Sequence, residues 1–228
     1  MKVLFFSCCV AVAGIVSATG YLEDEFKNAS VNCTGRPEIL LIGDSILMGY
    51  RESVRDALKE VADVRWPNGN CANSQNVLIQ LSQWKGLVSA PKVVQFNCGH
   101  WDVSHWDGDE GPITSLEEYG RNVRLIIRRL RRWYPGATIV FATTTPMNPN
   151  GTCGKNVRTT AEIRRYNEMA VTVVKEEGAL VNDLFAVAER WPSSDYVDYC
   201  HYGIEARERL GRYVTKFLTG VLTLGVEK

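Results

Sequence analysis

The sequence predicts an α/β domain, a parallel sheet of five strands with helices on both faces. Three observations predict it. Residues 39–42 form a continuous apolar run ending in Gly43-Asp44-Ser45, the pattern of a strand buried on both faces that turns sharply into a helix. Strand-like runs and stretches of helical apolar period then alternate down the chain, which is how parallel strands with crossover helices are encoded. Length sets the third limit: 228 residues suit one domain with a sizeable core, and neither an internal repeat nor a low-complexity tract divides it.

Lys2 precedes an apolar, uncharged run at positions 3–16, and Val16-Ser17-Ala18 offers small residues for cleavage. Residues 1–18 therefore read as a secretory signal peptide, too short to span a bilayer comfortably, and the expected destination is secreted or extracytoplasmic. A buried N-terminal segment of a cytoplasmic protein is the competing reading. Residues 19–36 are polar and mixed and read as a linker, leaving 37–228 as the domain. Its first strand, 39–42, feeds a charged helical pattern to about residue 61, and 62–66 reads as a short second strand. Pro67-Asn68-Gly69-Asn70 is a turn cluster. Ser74 looks like the cap of a helix with Val77, Leu78, Leu81 and Trp84 on one face.

Pro91 introduces a third strand, 93–97, ending at Cys98-Gly99, and residues 101–114 form an irregular acidic loop. Ser115 with Glu118 makes a capping box for a long helix. Leu116, Tyr119, Val123, Ile126, Ile127, Leu130 and Trp133 line its inner face, and six arginines between Arg121 and Arg132 its outer one. With a formal net charge of zero, that basic face is expected to be a solvated surface rather than a phosphate site. Residues 138–144 make a fourth strand, 159–177 a helix, 179–182 a fifth strand and 204–222 a final helix.

Charge neutrality predicts no nucleic-acid partner, and no segment predicts stable membrane insertion. Oligomeric state leaves no trace in the sequence. Without Cys8 and Cys9 of the leader, five cysteines remain, an odd number with irregular spacing. At most Cys33 and Cys153 are expected to pair, and Asn28, Asn32 and Asn150 head glycosylation sequons that matter only in a eukaryotic secretory route. Cys98, His100, Cys200 and His201 are zinc-ligand types, but their spacings match no usual structural motif. Adjacent residues in an extended chain also point opposite ways, so no metal or other cofactor is expected.

Chemistry is predicted at Ser45, at the carboxyl end of the first strand, where open α/β sheets bind ligands and where the helix dipole places its positive end. Gly-Asp-Ser alone is an ordinary helix cap. Asp198-Tyr199-Cys200-His201 changes that reading, because an acid three residues before a histidine on one turn can hold the imidazole in a fixed tautomer. The free ring nitrogen is then able to take the proton of Ser45, and Ser45, Asp198 and His201 are the expected catalytic residues.

From about Glu38 to Leu218 the sequence resembles the SGNH (GDSL-type) hydrolases. Gly43-Asp44-Ser45, Gly99-His100-Trp101-Asp102 and Asp198-x-x-His201 carry the resemblance, which is closest to bacterial members thought to act on acetylated carbohydrates. It implies a flavodoxin-like three-layer α/β/α sandwich, a serine nucleophile completed by the late Asp and His, and metal-free ester hydrolysis. Two positions depart from the family pattern. Its oxyanion-hole Gly corresponds to Cys71 or, with a shifted alignment, to Gly69, and its Asn corresponds to Trp101.

The expected oxyanion donors are therefore the backbone N–H groups of Ser45 and Cys71 with Asn97 as the substitute amide, or the Trp101 indole. Asp44, Gly69, His100, Trp101, His105 and Trp106 are expected to border the substrate, the aromatic rings facing a sugar unless they merely pack the loop. The expected partner is a small-molecule or carbohydrate ester with a short acyl group. A lysophospholipase- or lipase-type acyl hydrolase, and a catalytically decayed carbohydrate-binding scaffold, are the alternatives.

Overall fold

The computed structural model describes residues 35–224. The expected leader, most of the linker, Cys8, Cys9, Cys33 and the sequons at Asn28 and Asn32 lie outside the described residues. Along the chain run β1 (Glu38–Ile42), α1 (Ser45–Leu58), β2 (Asp63–Arg65), α2 (Ser74–Trp84), β3 (Val93–Phe96), β4 (His105–Trp106), α3 (Leu116–Trp133), β5 (Thr138–Ala142), β6 (Asn156–Val157), α4 (Thr160–Glu176), β7 (Leu180–Asn182), α5 (Leu184–Ala188) and α6 (Ile204–Leu224). Strands β2-β1-β3-β5-β7 pair in that order, all parallel, while β4 and β6 form a separate antiparallel pair. This is the expected five-stranded sheet in the flavodoxin-like order, and the order reverses between β1 and β3.

Side-chain alternation along the strands builds the two outer layers. Leu40, Ile42, Val94, Phe96, Ile139 and Phe141 face α2, α3 and α4 in one core. On the other side Ile39, Leu41, Val93, Val140 and Ala142 meet α1, α5 and α6. Gln95 is the polar exception inside β3, and its side chain is satisfied by accepting from Asn182 Nδ2 at 2.9 Å.

Local chemistry explains the helix starts. Asp44 caps α1 by accepting from the Ile46 N–H, and Ser115 caps α3 by accepting from the Glu118 N–H. The cap of α2 is Asn73, which accepts from the Asn76 N–H, so Ser74 is its first residue rather than its cap. The arginine face of α3 is only partly solvated: Arg124 and Arg128 pair with Glu177, and Arg124 also with Glu176, tying α3 to α4. The acidic loop is not wholly irregular either, since His105 and Trp106 pair with Val157 and Asn156 in a small antiparallel ribbon formed by two segments distant in sequence. Among the described residues, no helix is long and apolar enough to cross a membrane.

Candidate active site

The site lies at the carboxyl ends of β1 and β3, where the strand order reverses. After β1 the chain turns through Gly43, whose missing side chain is required. A Cβ there would lie 1.9 Å from Asn97 Oδ1 and 2.9 Å from the Leu47 Cβ. Asp44 follows, fully buried, with its Oδ1 accepting from the Ile46 N–H at 3.0 Å. Burial pushes its carboxyl up, while the Asn97 amide and the Ile46 N–H pull the other way. Ser45 is then the first residue of α1, so its N–H belongs to the turn whose amides have no intrahelical acceptor.

The partners of Ser45 arrive on a tight turn between α5 and α6. Tyr196 and Tyr202 bridge the base of this turn, and the Val197 N–H donates to the His201 carbonyl at 2.8 Å. Inside it, Asp198 Oδ1 accepts from the N–H groups of Cys200 (2.8 Å) and His201 (2.7 Å). Its other oxygen, Oδ2, lies 2.7 Å from His201 Nδ1, and His201 Nε2 lies 2.7 Å from Ser45 Oγ. Partial burial opposes ionisation of Asp198, but the two N–H groups and the imidazole outweigh it and hold the carboxyl below its usual value. A carboxylate only accepts, so Nδ1 carries the ring proton and Nε2 presents its lone pair to the serine hydroxyl. This arrangement can take a proton from Ser45 and stabilise the resulting imidazolium.

The turn is pinned from a second direction that the sequence reading missed. The loop after β5 sends Asn148, whose Nδ2 donates to the Asp198 carbonyl at 2.9 Å and whose N–H donates to the Tyr199 carbonyl at 2.9 Å. Arg158 was missed as well. It is buried, its Nη1 donates to the His100 carbonyl at 2.9 Å, and its guanidinium lies 5.3 Å from the Tyr199 ring and 6.0 Å from the Trp101 ring. A lone arginine in a polar loop gives no sequence signal of such burial.

Four expected site residues are placed differently, and Asp44, fully buried, does not border a substrate either. The Cys71 N–H donates to the Gly43 carbonyl at 3.0 Å, so it is committed to the scaffold rather than open to an oxyanion. The neighbouring positive φ falls on Ala72, at 53°, so the backbone of Cys71 itself is not strained. His100 is buried and does not border a substrate. Its Nε2 meets Thr145 Oγ1 at 3.2 Å, and burial, reinforced by Arg158, pushes its pKa down to about 3, so the ring is neutral. His105 is bound to Glu162 at 2.6 Å, on the β4 strand that also exposes Trp106. Gly69 is exposed, with a φ of +87° that a side chain would resist.

The expected divergence of Cys200 and His201 also fails. Because Asp198 curls the backbone around its own carboxylate, Cys200 Sγ comes within 3.7 Å of His201 Nδ1. The remaining residue of the second motif, Asp102, is structural. Its carboxylate accepts from the Ser74 N–H and, at 2.5 Å, from the Ser74 hydroxyl, fastening α2 beneath the site.

A model of the GDSL-like Lipase/Acylhydrolase family matches residues 41–206, from within β1 to the start of α6. The chain belongs to that family. GDSL-like hydrolases cleave carboxylic esters, and the chain is an esterase/acylhydrolase of this kind. A "GDSL esterase/lipase WDL1" of Oryza sativa subsp. japonica is 23% identical over 203 residues, covering 81% of this chain and 78% of the relative. Among solved structures, the lipase/acylhydrolase from Enterococcus faecalis superposes with a TM-score of 0.63 at 18% identity, covering 81% of this chain and 96% of the other. Axe2, an acetylxylan esterase from Geobacillus stearothermophilus, gives 0.62 at 18% identity over 81% and 94%. At these identities the superpositions speak for the fold.

Proposed function

We propose that the protein hydrolyses short-acyl carboxylic esters, O-acetyl groups on carbohydrate in particular, through Ser45, His201 and Asp198. The observation that carries the reading is the unbroken relay from Asp198 Oδ2 through both ring nitrogens to Ser45 Oγ, with 2.7 Å at each junction. His201 Nε2 takes the serine proton as Ser45 Oγ attacks the ester carbonyl. The tetrahedral adduct collapses to an acyl-enzyme as the imidazolium returns the proton to the leaving alcohol. Water, deprotonated by the same nitrogen, then releases the acid and restores Ser45.

The oxyanion falls to the Ser45 N–H and to the side-chain amide of Asn97, whose Oδ1 lies against Gly43 and whose Nδ2 is turned to the Asp44 carboxylate, leaving its second N–H for the adduct. Cys71 contributes through the shape of its loop, its own N–H being held by Gly43. Trp101 and Tyr199, drawn together over Arg158, supply the flat apolar faces on which a sugar ring can stack, and the ring of Tyr199 lies 6.3 Å from that of His201. The name of the Geobacillus neighbour, an acetylxylan esterase, supports the same substrate class. Export, which the N-terminal run suggests, would bring the protein to extracellular polysaccharide.

The test pairs a fluorophosphonate probe with hydrolysis of acetylated sugars and of longer acyl esters. Wild type is expected to be labelled on Ser45 and to prefer acetyl esters, and Ser45→Ala to lose both labelling and turnover. Labelling that survives in Ser45→Ala would remove the nucleophile assignment, and a preference for long acyl chains would remove the acetyl one.

A further inference from the structure

We propose that Asp198, Cys200 and His201 form a binding site for one thiophilic divalent cation, Zn²⁺ or Cd²⁺, whose occupancy switches the hydrolase off. The three residues each offer a ligand atom of a different kind, carboxylate oxygen, sulfur and ring nitrogen, and these atoms all lie within 4.8 Å of one another. For tetrahedral zinc with ordinary bond lengths, sulfur and nitrogen ligands stand about 3.6 Å apart, and nitrogen and oxygen ligands about 3.4 Å apart. Cys200 Sγ and His201 Nδ1 are already separated by 3.7 Å. Asp198 Oδ2 and His201 Nδ1 stand at 2.7 Å, bridged by a proton, and need to open by a fraction of an ångström when the larger ion replaces it.

The backbone is arranged for this. By accepting from both following N–H groups, Asp198 bends its turn so that neighbouring side chains converge. Asp198 is exposed and His201 half-buried, so one side of the cluster is open to solvent, whereas Cys200 is buried behind them.

The consequence for the reaction follows from proton positions, and this half of the inference rests on the triad reading above. In the metal-free protein Nδ1 carries the proton and Nε2 the free lone pair. A cation on Nδ1 moves the remaining ring proton to Nε2, which becomes a donor toward Ser45 Oγ and has nothing left with which to take the serine proton. The Cys200 thiol, which burial pushes up to about 12 against the pull of Arg158, gives its proton to solvent as the sulfur coordinates. Water completes the fourth position. Nothing is oxidised or reduced, and a chelator reverses every step.

The experiment titrates the full-length protein, first freed of metal by chelator, with Cd²⁺ and separately with Zn²⁺. It reads the ultraviolet cadmium–thiolate charge-transfer band and, in parallel, ester hydrolysis. Wild type is expected to develop the band with one ion per chain and to lose activity in step with it, both effects being reversed by EDTA. Cys200→Ala and Cys200→Ser are expected to keep the metal-free rate, to lose the band, and to need at least tenfold more Zn²⁺ for half inhibition. Cys153→Ala is expected to behave as wild type. A band that persists in Cys200→Ala, or a variant as sensitive to Zn²⁺ as wild type, overturns the site. A band that forms on a protein without hydrolytic activity would leave the site standing and remove the triad reading. Hydrolysis with neither band nor inhibition would do the reverse.

Discussion

Asn97 shows how one side chain answers for a departure from the family pattern. Trp101 stands where the family amide is expected, and an indole has one N–H on a rigid plane. Asn97 instead packs its Oδ1 against Gly43, two residues before the nucleophile, with its Nδ2 turned to the Asp44 carboxylate and a second N–H to spare. If it supplies the missing donor, Asn97→Ala is expected to lower kcat about 10²–10³-fold with little change in KM, and Trp101→Ala to raise KM more than it lowers kcat. Steady-state kinetics on one acetyl ester checks both. At this scale the sequence was most legible where chemistry is local. The three-residue spacing of Asp198 and His201 and the strand-end serine were sufficient to single out the relay. His100 and Cys71 were not legible, because burial and backbone partners depend on loops that meet only in the folded chain. Arg158 is the extreme case: its carbonyl, hydroxyl and aromatic neighbours come from segments 41 to 58 positions away in sequence.

Elements position these groups, and the β1-to-α1 turn has the least freedom among them. Gly43→Ala is expected to destabilise by about 1–3 kcal/mol, read by urea denaturation, since its Cβ would press on both Asn97 Oδ1 and Leu47. A double substitution with Asn97→Gly should recover part of that loss, and strict additivity would show the clash to be elsewhere. The strands and long helices were readable because burial on both faces and the 3.6-residue period are intrinsic to short windows of sequence. The cap of α2 was read one residue late, because Ser74 is a good cap by type. Its N–H and hydroxyl are taken by Asp102, 28 residues away, leaving capping to Asn73. The β4–β6 pair was missed for a related reason, as two residues on each strand carry no periodic signal and the strands lie about fifty positions apart.

For the molecule as a whole, buried titratable groups set how stability responds to acid. His100 has an ordinary pKa of 6.5 that burial lowers to about 3, so below pH 6.5 the unfolded chain binds a proton that the folded chain refuses. Its contribution to stability is fully present above pH 6.5 and is lost as pH falls toward 3, amounting to about 2 kcal/mol by about pH 5. Asp102 acts in the opposite sense. Burial raises its carboxyl from 3.8 to about 6, so the folded chain takes up that proton first and gains stability as pH falls between those values. The two partly offset, and the difference between wild type and His100→Gln isolates the histidine. On chemical denaturation at pH 7 and about pH 5, the variant is expected to lose less stability on acidification than wild type, and parallel curves would refute the assignment.

The bridge between Tyr196 and Tyr202 has a mechanical corollary. Acid and base share one closed loop of chain, so loosening the scaffold cannot pull them apart, whereas the nucleophile is carried on a different wall. Gentle heating should therefore break the machine at a single seam, between hydroxyl and imidazole, while the imidazole and its carboxylate continue to move as one piece.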